Sequence, residues 1–218
     1  MIRKYNHVIW DWNGTIINDV DLCVNIVNGV LKRRKLPNLT LEKYKSIFTI
    51  PVKDYYIKAG FDFTKESFEI LGKEWMDEYE QRKFECNLYD DLTKVMGAIS
   101  DSGLEQSILS AYMQDNLVAM IKYFKLKKYF SHIVGLDNIY AGGKLELGKS
   151  LIQRLGNGKS NALIIGDTIH DYEVAREIGA DCVLIANGHQ SFERLKQTSG
   201  KVLNSLSEFY DLYFNSKN

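Results

Sequence analysis

A doubly wound α/β core interrupted by one helical block is the fold this sequence predicts. Two observations predict it. From residue 89 onward, short apolar runs rich in β-branched residues alternate with amphipathic helical stretches, the rhythm of parallel βαβ units with right-handed crossovers. Before that, one strand stands alone at the start of the chain, and residues 17–88 carry helical patterning with no convincing strand. A chain of 218 residues accommodates one sizeable core domain with an insertion. The expected division is a core of residues 1–16 and 89–218 and a helical insertion of residues 17–88.

The elements follow in order. "NHVIWD" is a short buried strand, apolar, β-branched and aromatic, stopped by Asn13-Gly14. In "DVDLCVNIVNGVLKRRK", Val20, Cys23, Val27 and Val30 recur at helical spacing, with Asp19 placed as an N-cap. Thr40 opens a second helix. Pro51 stands at the first position of a third, which Gly60 stops. Phe68, Leu71, Trp75 and Tyr79 draw one apolar stripe along a fourth, read as packing within the insertion. Then come helix "DLTKVMGAISDSG", strand "LEQSILSA", helix "QDNLVAMIKYFKL", strand "SHIVGL", helix "ELGKSLIQRLG", strand "NALIIGD", helix "HDYEVAREIG" and strand "DCVLIA". A short helix, a weak strand at "KVLN" and a last helix through Phe214 complete the chain.

Composition narrows the function. Hydrophobic residues are 45% and charged residues 26%, the balance of a globular protein, and 28 basic residues match 28 acidic ones. A net charge of zero gives no polycation to grip a nucleic-acid backbone or an anionic membrane. The start lacks the apolar core of a signal peptide, and no apolar run approaches the ~20 residues that span a bilayer. Cys23, Cys86 and Cys182 are odd in number and far apart, which reads as reduced thiols and a cytoplasmic location. Oligomeric state is not legible in the sequence.

In an open α/β sheet, ligands bind beyond the carboxyl ends of the strands. The first strand ends at Asp11, followed by Asn13, Gly14 and Thr15. A second ends at Ser110. "NALIIGDTIHD" ends at Asp167, with Asp171 four residues on, and Lys144 and Lys149 lie before it. Carboxylates at adjacent strand ends repel unless a hard cation lies between them, and Mg²⁺ is the usual one beside phosphate. A lysine and a serine hydroxyl complete a pocket for a phosphoryl group, and a carboxylate held against phosphorus is a candidate nucleophile. Of the remaining residues, His170 reads as a helix-start or solvent residue and His189 as a loop residue at the rim. Of Trp10 and Trp12, one is expected in the core and one on the pocket wall.

These motifs resemble the haloacid dehalogenase superfamily, in its phosphoglycolate phosphatase-like branch, and the resemblance covers essentially the whole chain. "DWNGT" is similar to the first motif, usually D-x-D-G-T. "ILSAY" is similar to the second, although Tyr112 takes its asparagine position. Lys144, shortly before the helix that ends at "RLG", is similar to the third-motif lysine, with Lys149 as a rival. "IIGDTIHDYEVAREIGAD" is similar to the fourth. The resemblance implies a Mg²⁺-dependent phosphoester hydrolase of a small phosphorylated metabolite. Asp11 is then the nucleophile, and Gly14, Thr15, Ser110 and Lys144 surround the phosphate. Asp11, Asp167, Asp171 and the Asn13 carbonyl hold the metal, and the helical block is a cap that closes over substrate, with "FTIPVKDYY" near it. It also implies that the second acid of the first motif protonates the leaving group. Here that residue is Asn13, whose amide has no proton to give or take at useful pKa. Four consequences are open: substrates with good leaving groups, a proton from another group, deamidation of Asn13-Gly14, or a catalytically weak or inactive regulatory protein that binds a phosphorylated ligand.

Overall fold

The computed structural model describes residues 2–137, 143–156 and 161–215. Strand β1 (His7–Trp10) opens the chain and β2 (Ile17–Asn18) follows the first loop. Helices α1 (Val20–Arg33), α2 (Leu41–Ile47), α3 (Val52–Ala59) and α4 (Phe68–Arg82) form the inserted block, closed by β3 (Asn87–Leu88). The alternating half runs α5 (Leu92–Asp101), β4 (Glu105–Met113), α6 (Gln114–Tyr123), β5 (His132–Leu136), α7 (Lys144–Arg154), β6 (Ala162–Gly166), α8 (Ile169–Ile178) and β7 (Asp181–Ile185). It ends with α9 (Phe192–Leu195), β8 (Lys201–Leu203) and α10 (Leu206–Tyr210).

Six strands make one parallel sheet in the order β5-β4-β1-β6-β7-β8. The sheet is covered on both faces, which is why β1 reads as a continuous apolar run. Val8 and Trp10 face one side and join Val95, Met96 and Ile99 of α5, Leu117 of α6 and Phe209 of α10. Ile9 faces the other side with Leu109 and Ile164, under Leu151 of α7 and Val174 of α8. Each of these large side chains is essentially out of water, and full burial of one contributes roughly 1.5–3 kcal/mol.

The register sets the site. Trp10 lies level with Ile108 on one neighbour and with Ile165 on the other. The next amide, Asp11 N–H, donates to the Ile165 carbonyl at 2.9 Å. Asp11 and Asp167 therefore leave adjacent strands at the same edge, the carboxyl edge.

Five local expectations need correction. The segment read as purely helical begins and ends in strand: Ile17 pairs with Leu88 and Asn18 with Asn87, antiparallel. Pairs of two residues carry no alternation from which a strand can be read. Strand β4 does not stop at Ser110 but continues to Met113, through a register shift between Leu109 and Met113. Pro51 sits at the N-cap of α3 in extended backbone rather than inside its first turn. Lys144 is the first residue of α7 rather than part of the loop before it. Tryptophans Trp10 and Trp12 are both fully buried, so neither lines an open wall.

Candidate active site

Four charged side chains meet at the carboxyl edge, all buried: Asp11, Lys144, Asp167 and Asp171. Oxygens of the three carboxylates lie within 4.8 Å of one another. The Lys144 ammonium donates to Asp171 Oδ1 at 2.5 Å and also to Asp11 Oδ1. Lys149, its rival in the sequence, points outward and pairs with Glu146 at 2.7 Å. The start of α8 explains why Asp171 is fixed. Thr168 is the N-cap, and Asp171 Oδ2 accepts from Asp167 N–H at 3.2 Å, Thr168 N–H at 3.0 Å and the Thr168 hydroxyl at 2.7 Å. That arrangement is a capping box whose carboxylate also serves the charged cluster.

The electrostatics are those of a site short of positive charge. Burial pushes the Asp11 carboxyl up, against the pull of Lys144. Burial likewise raises Asp167, helped by Asp11 and Asp171 and opposed by His189. Burial also works against ionised Asp171, but the Lys144 ammonium and the Thr168 donors outweigh it and hold Asp171 below the usual carboxylate range. Burial disfavours the Lys144 ammonium too, and Asp11 and Asp171 more than offset that and raise it. One lysine against three carboxylates leaves room for a hard dication with oxygen ligands.

The loop after β1 brings the remaining first-motif residues round. Gly14 has φ +73°, and a Cβ there would overlap the Asp167 carboxylate and the His189 ring. A Cβ on Gly188, in the loop after β7, would overlap Asp167 from the other side. Both backbones approach a carboxylate too closely for any side chain. The Thr15 hydroxyl donates to Asp167 Oδ1 at 3.2 Å. Ser110 stands on the neighbouring strand β4, two residues beyond the Trp10 level, buried, where its hydroxyl accepts from Tyr112 N–H at 3.1 Å. Tyr112, at the departure from the second motif, turns to the inserted block: its hydroxyl donates to Glu80 of α4, and Lys83 donates to it at 3.4 Å.

Asn13 faces a second buried group. Its amide Nδ2 donates to Asp19 Oδ2 at 2.7 Å and to the Tyr79 hydroxyl at 2.8 Å. Tyr79 in turn donates to Asp19 Oδ2 at 2.9 Å, and Gly14 N–H to Asp19 Oδ1 at 3.0 Å. Asp19 does occupy the N-cap position of α1, but its side chain makes no capping bond. The His189 ring completes the group, with Nε2 3.3 Å from Asp19 Oδ1 and Nδ1 2.9 Å from the Tyr44 hydroxyl. Phe48 of the "FTIPVKDYY" segment stacks on that ring at 4.9 Å. His189 N–H donates to Asp167 Oδ2 at 2.5 Å, so the loop after β7 ties the two groups together. Lys45 of α2 also reaches this cleft. Half-buried, it donates to the Asn187 carbonyl at 3.1 Å, and burial pushes its ammonium pKa down against the opposing pull of Asp167 and Asp21.

The haloacid dehalogenase-like hydrolase profile matches residues 8–185, which span β1, the inserted block, and Asp11, Lys144, Asp167 and Asp171. The chain belongs to this family. Among other haloacid dehalogenase-like proteins it is 26% identical over 223 residues to the phosphoglycolate phosphatase of Chromobacterium violaceum, covering 98% of this chain and 99% of that one. It is 24% identical over 186 residues to pyrophosphatase PpaX of Listeria monocytogenes serotype 4a, covering 81% of each. Its fold superposes on the haloacid dehalogenase-like family protein SP0104 of Streptococcus pneumoniae with a TM-score of 0.82 at 17% identity, over 97% of this chain and 99% of that one. Among the described residues no helix is long and apolar enough to cross a membrane.

Compared with its motifs, this haloacid dehalogenase-like chain holds three site residues that motif reading missed. Asp19 reads as a helix cap, Tyr79 as one member of an apolar stripe, and His189 as a loop residue. Only Asp19, five residues beyond Gly14, lies close enough in sequence to have been suspected. Asp19 gives His189 a pH signature. Burial opposes the imidazolium, but the Asp19 carboxylate outweighs it and His189 is pushed up to about 9 from 6.5. A folded pKa above the unfolded one gives stability that is full below about 6.5 and lost as pH rises through about 9. In chelator, the Tm is expected to fall across that window, and His189→Gln is expected to flatten the fall. An equally steep fall in the variant would assign it to other groups.

Proposed function

We propose that the protein is a Mg²⁺-dependent phosphohydrolase acting on a small phosphorylated metabolite through a phosphorylated Asp11. The observation that carries this reading is the meeting of three buried carboxylates and one buried lysine at the carboxyl edge of the sheet. The names of the relatives, a phosphoglycolate phosphatase and a pyrophosphatase, agree with it.

The donor set fits the metal: oxygen ligands only, buried, with more negative charge than Lys144 balances. Asp11, Asp167, Asp171 and the Asn13 backbone carbonyl would hold Mg²⁺, which when bound neutralises charge on the phosphoryl oxygens. The chain's own residues do the rest. Lys144 and the Ser110 hydroxyl bind phosphoryl oxygens and orient the group, and the Lys144 ammonium favours the ionised form of Asp11 against the burial that raises it. An Asp11 oxygen attacks phosphorus and the bond to the leaving oxygen breaks. Water then attacks the same phosphorus and frees the Asp11 carboxylate. Gly14 and Thr15 shape the turn against Asp167. Residues 17–88 act as a cap that excludes water.

The test is phosphate release from acetyl phosphate or para-nitrophenyl phosphate, with Mg²⁺ and with chelator. Release is expected only with the metal. The half-exposed Asn13, an amide where an acid is usual, favours one second reading, a protein that binds a phosphorylated ligand without turning it over. That reading requires Mg²⁺ and tungstate to raise the Tm while no phosphate is released.

A further inference from the structure

If the site cleaves phosphate by way of Asp11, as proposed above, the next question is where the leaving group would obtain a proton. The hydrogens around Asn13 are already committed. Both Asn13 Nδ2 bonds go to acceptors, Asp19 and the Tyr79 hydroxyl. Tyr79 gives its proton to Asp19. The two ring nitrogens of His189 face Asp19 and Tyr44. The Thr15 hydroxyl gives its proton to Asp167. The Lys144 ammonium is held by two carboxylates, Asp11 and Asp171. Asp19 is buried and accepts from Asn13, Gly14 and Tyr79, with the His189 ring against it, so it is a carboxylate surrounded by donors.

The same bonds fix the orientation of Asn13. Asp19 can only accept, so the amide must present its nitrogen there, and its Oδ1 is left as the free end. An amide oxygen can orient a water molecule without taking its proton, as glutamine does in some nucleotide hydrolases.

We infer that the site takes activated phosphates, whose leaving group departs as a stable anion, and that Asn13 and Asp19 set this preference as a matched pair. Phosphoanhydrides, acyl phosphates and aryl phosphates meet the requirement, and simple alkyl phosphates do not. The steps balance without an acid on the enzyme. Asp11 displaces the leaving group with its electron pair and negative charge. Water, oriented by Asn13 Oδ1, then attacks phosphorus. The Asp11 carboxylate leaves, and both of the water's protons stay on the phosphate released, as dihydrogen phosphate. The pairing is a matter of charge: an acid at position 13 would set a second carboxylate within hydrogen-bond reach of Asp19, where the amide now stands at 2.7 Å. Exchanging the two residues keeps one amide and one carboxylate in contact.

The experiment compares kcat/KM for acetyl phosphate, para-nitrophenyl phosphate, phenyl phosphate and glycerol phosphate at saturating Mg²⁺. For the native chain the values should fall with leaving-group basicity, by at least ~10²-fold between para-nitrophenyl and glycerol phosphate, the lower end of what a general acid supplies. In Asn13→Asp/Asp19→Asn the gap should narrow by ~10-fold or more, and Asn13→Asp alone should not narrow it. Similar rates on aryl and alkyl phosphates would overturn the inference. So would glycerol phosphate turnover that disappears in Lys45→Gln, since Lys45 would then be the acid. Narrowing in Asn13→Asp alone would refute the pairing. The native series needs no variant to fold. Turnover with a flat dependence sinks this inference alone, whereas no phosphate release from any compound sinks the proposed function with it.

Discussion

Asp11→Asn is expected to lower phosphate release by at least ~10⁴-fold while the chain stays folded. The size of the loss follows from the role. On the proposed mechanism Asp11 makes the bond to phosphorus, and removing a nucleophile costs far more than removing a positioning group, up to ~10⁶ in well-studied hydrolases. Asparagine keeps the volume and most of the hydrogen-bonding shape, so the Lys144 ammonium still has an oxygen to meet. Folding should not suffer, because burial together with Asp171 already disfavours the charged form of Asp11. Replacing it by a neutral group removes part of that repulsion, so the metal-free Tm should hold or rise. Mg²⁺ should stabilise the variant less than the native chain, since one of the three carboxylates proposed to hold it is gone. Residual release within tenfold of the native rate would show that phosphorus is attacked by something other than Asp11.

How much of this was legible in the sequence depends on how far apart the partners lie. Asp11, Asp167 and Asp171 each sit at the end of a strand or the start of a helix whose own pattern is clear, and the parallel register brings them together without further information. Lys144 was legible as a residue type at roughly the right place. What chose it over Lys149 was the start of α7, which turns Lys144 inward and leaves Lys149 paired with Glu146 on the surface. The group around Asp19 was not legible. Tyr79 lies 60 residues from Asp19 and Tyr44 lies 145 from His189, and no local periodicity encodes either contact. A tyrosine in an apolar stripe has the same signature whether its hydroxyl is free or bound to a buried carboxylate. The short pair β2 and β3 failed for a different reason: its strands are held by where the inserted helices leave and return, not by an alternating pattern of their own.

Lys144→Met should be the most damaging change to stability in the site. Methionine fills a similar volume, so packing is largely kept and the change is one of charge. The ammonium is buried and bonded to two buried carboxylates. Breaking a buried ion pair by removing one partner typically costs ~3–5 kcal/mol, because the remaining charge is left uncompensated. Three carboxylates would then face one another without it. The loss has a direction in pH. With Lys144 gone, Asp11 and Asp171 lose the ammonium that pulls both of them down, so the variant is penalised most at neutral pH and least near pH 5, where protonation relieves the repulsion. Mg²⁺ should therefore restore much of the Tm of Lys144→Met, as a dication takes over the charge balance. It should not restore turnover or tungstate affinity, since the donor proposed for the phosphoryl oxygens is missing. Lys149→Met supplies the contrast. Its exposed pair with Glu146 contributes at most a few tenths of a kcal/mol, and both Tm and rate should be unchanged. Equal effects from the two lysines would mean that the buried ammonium does not balance the carboxylates, and the metal-site reading would fall with it.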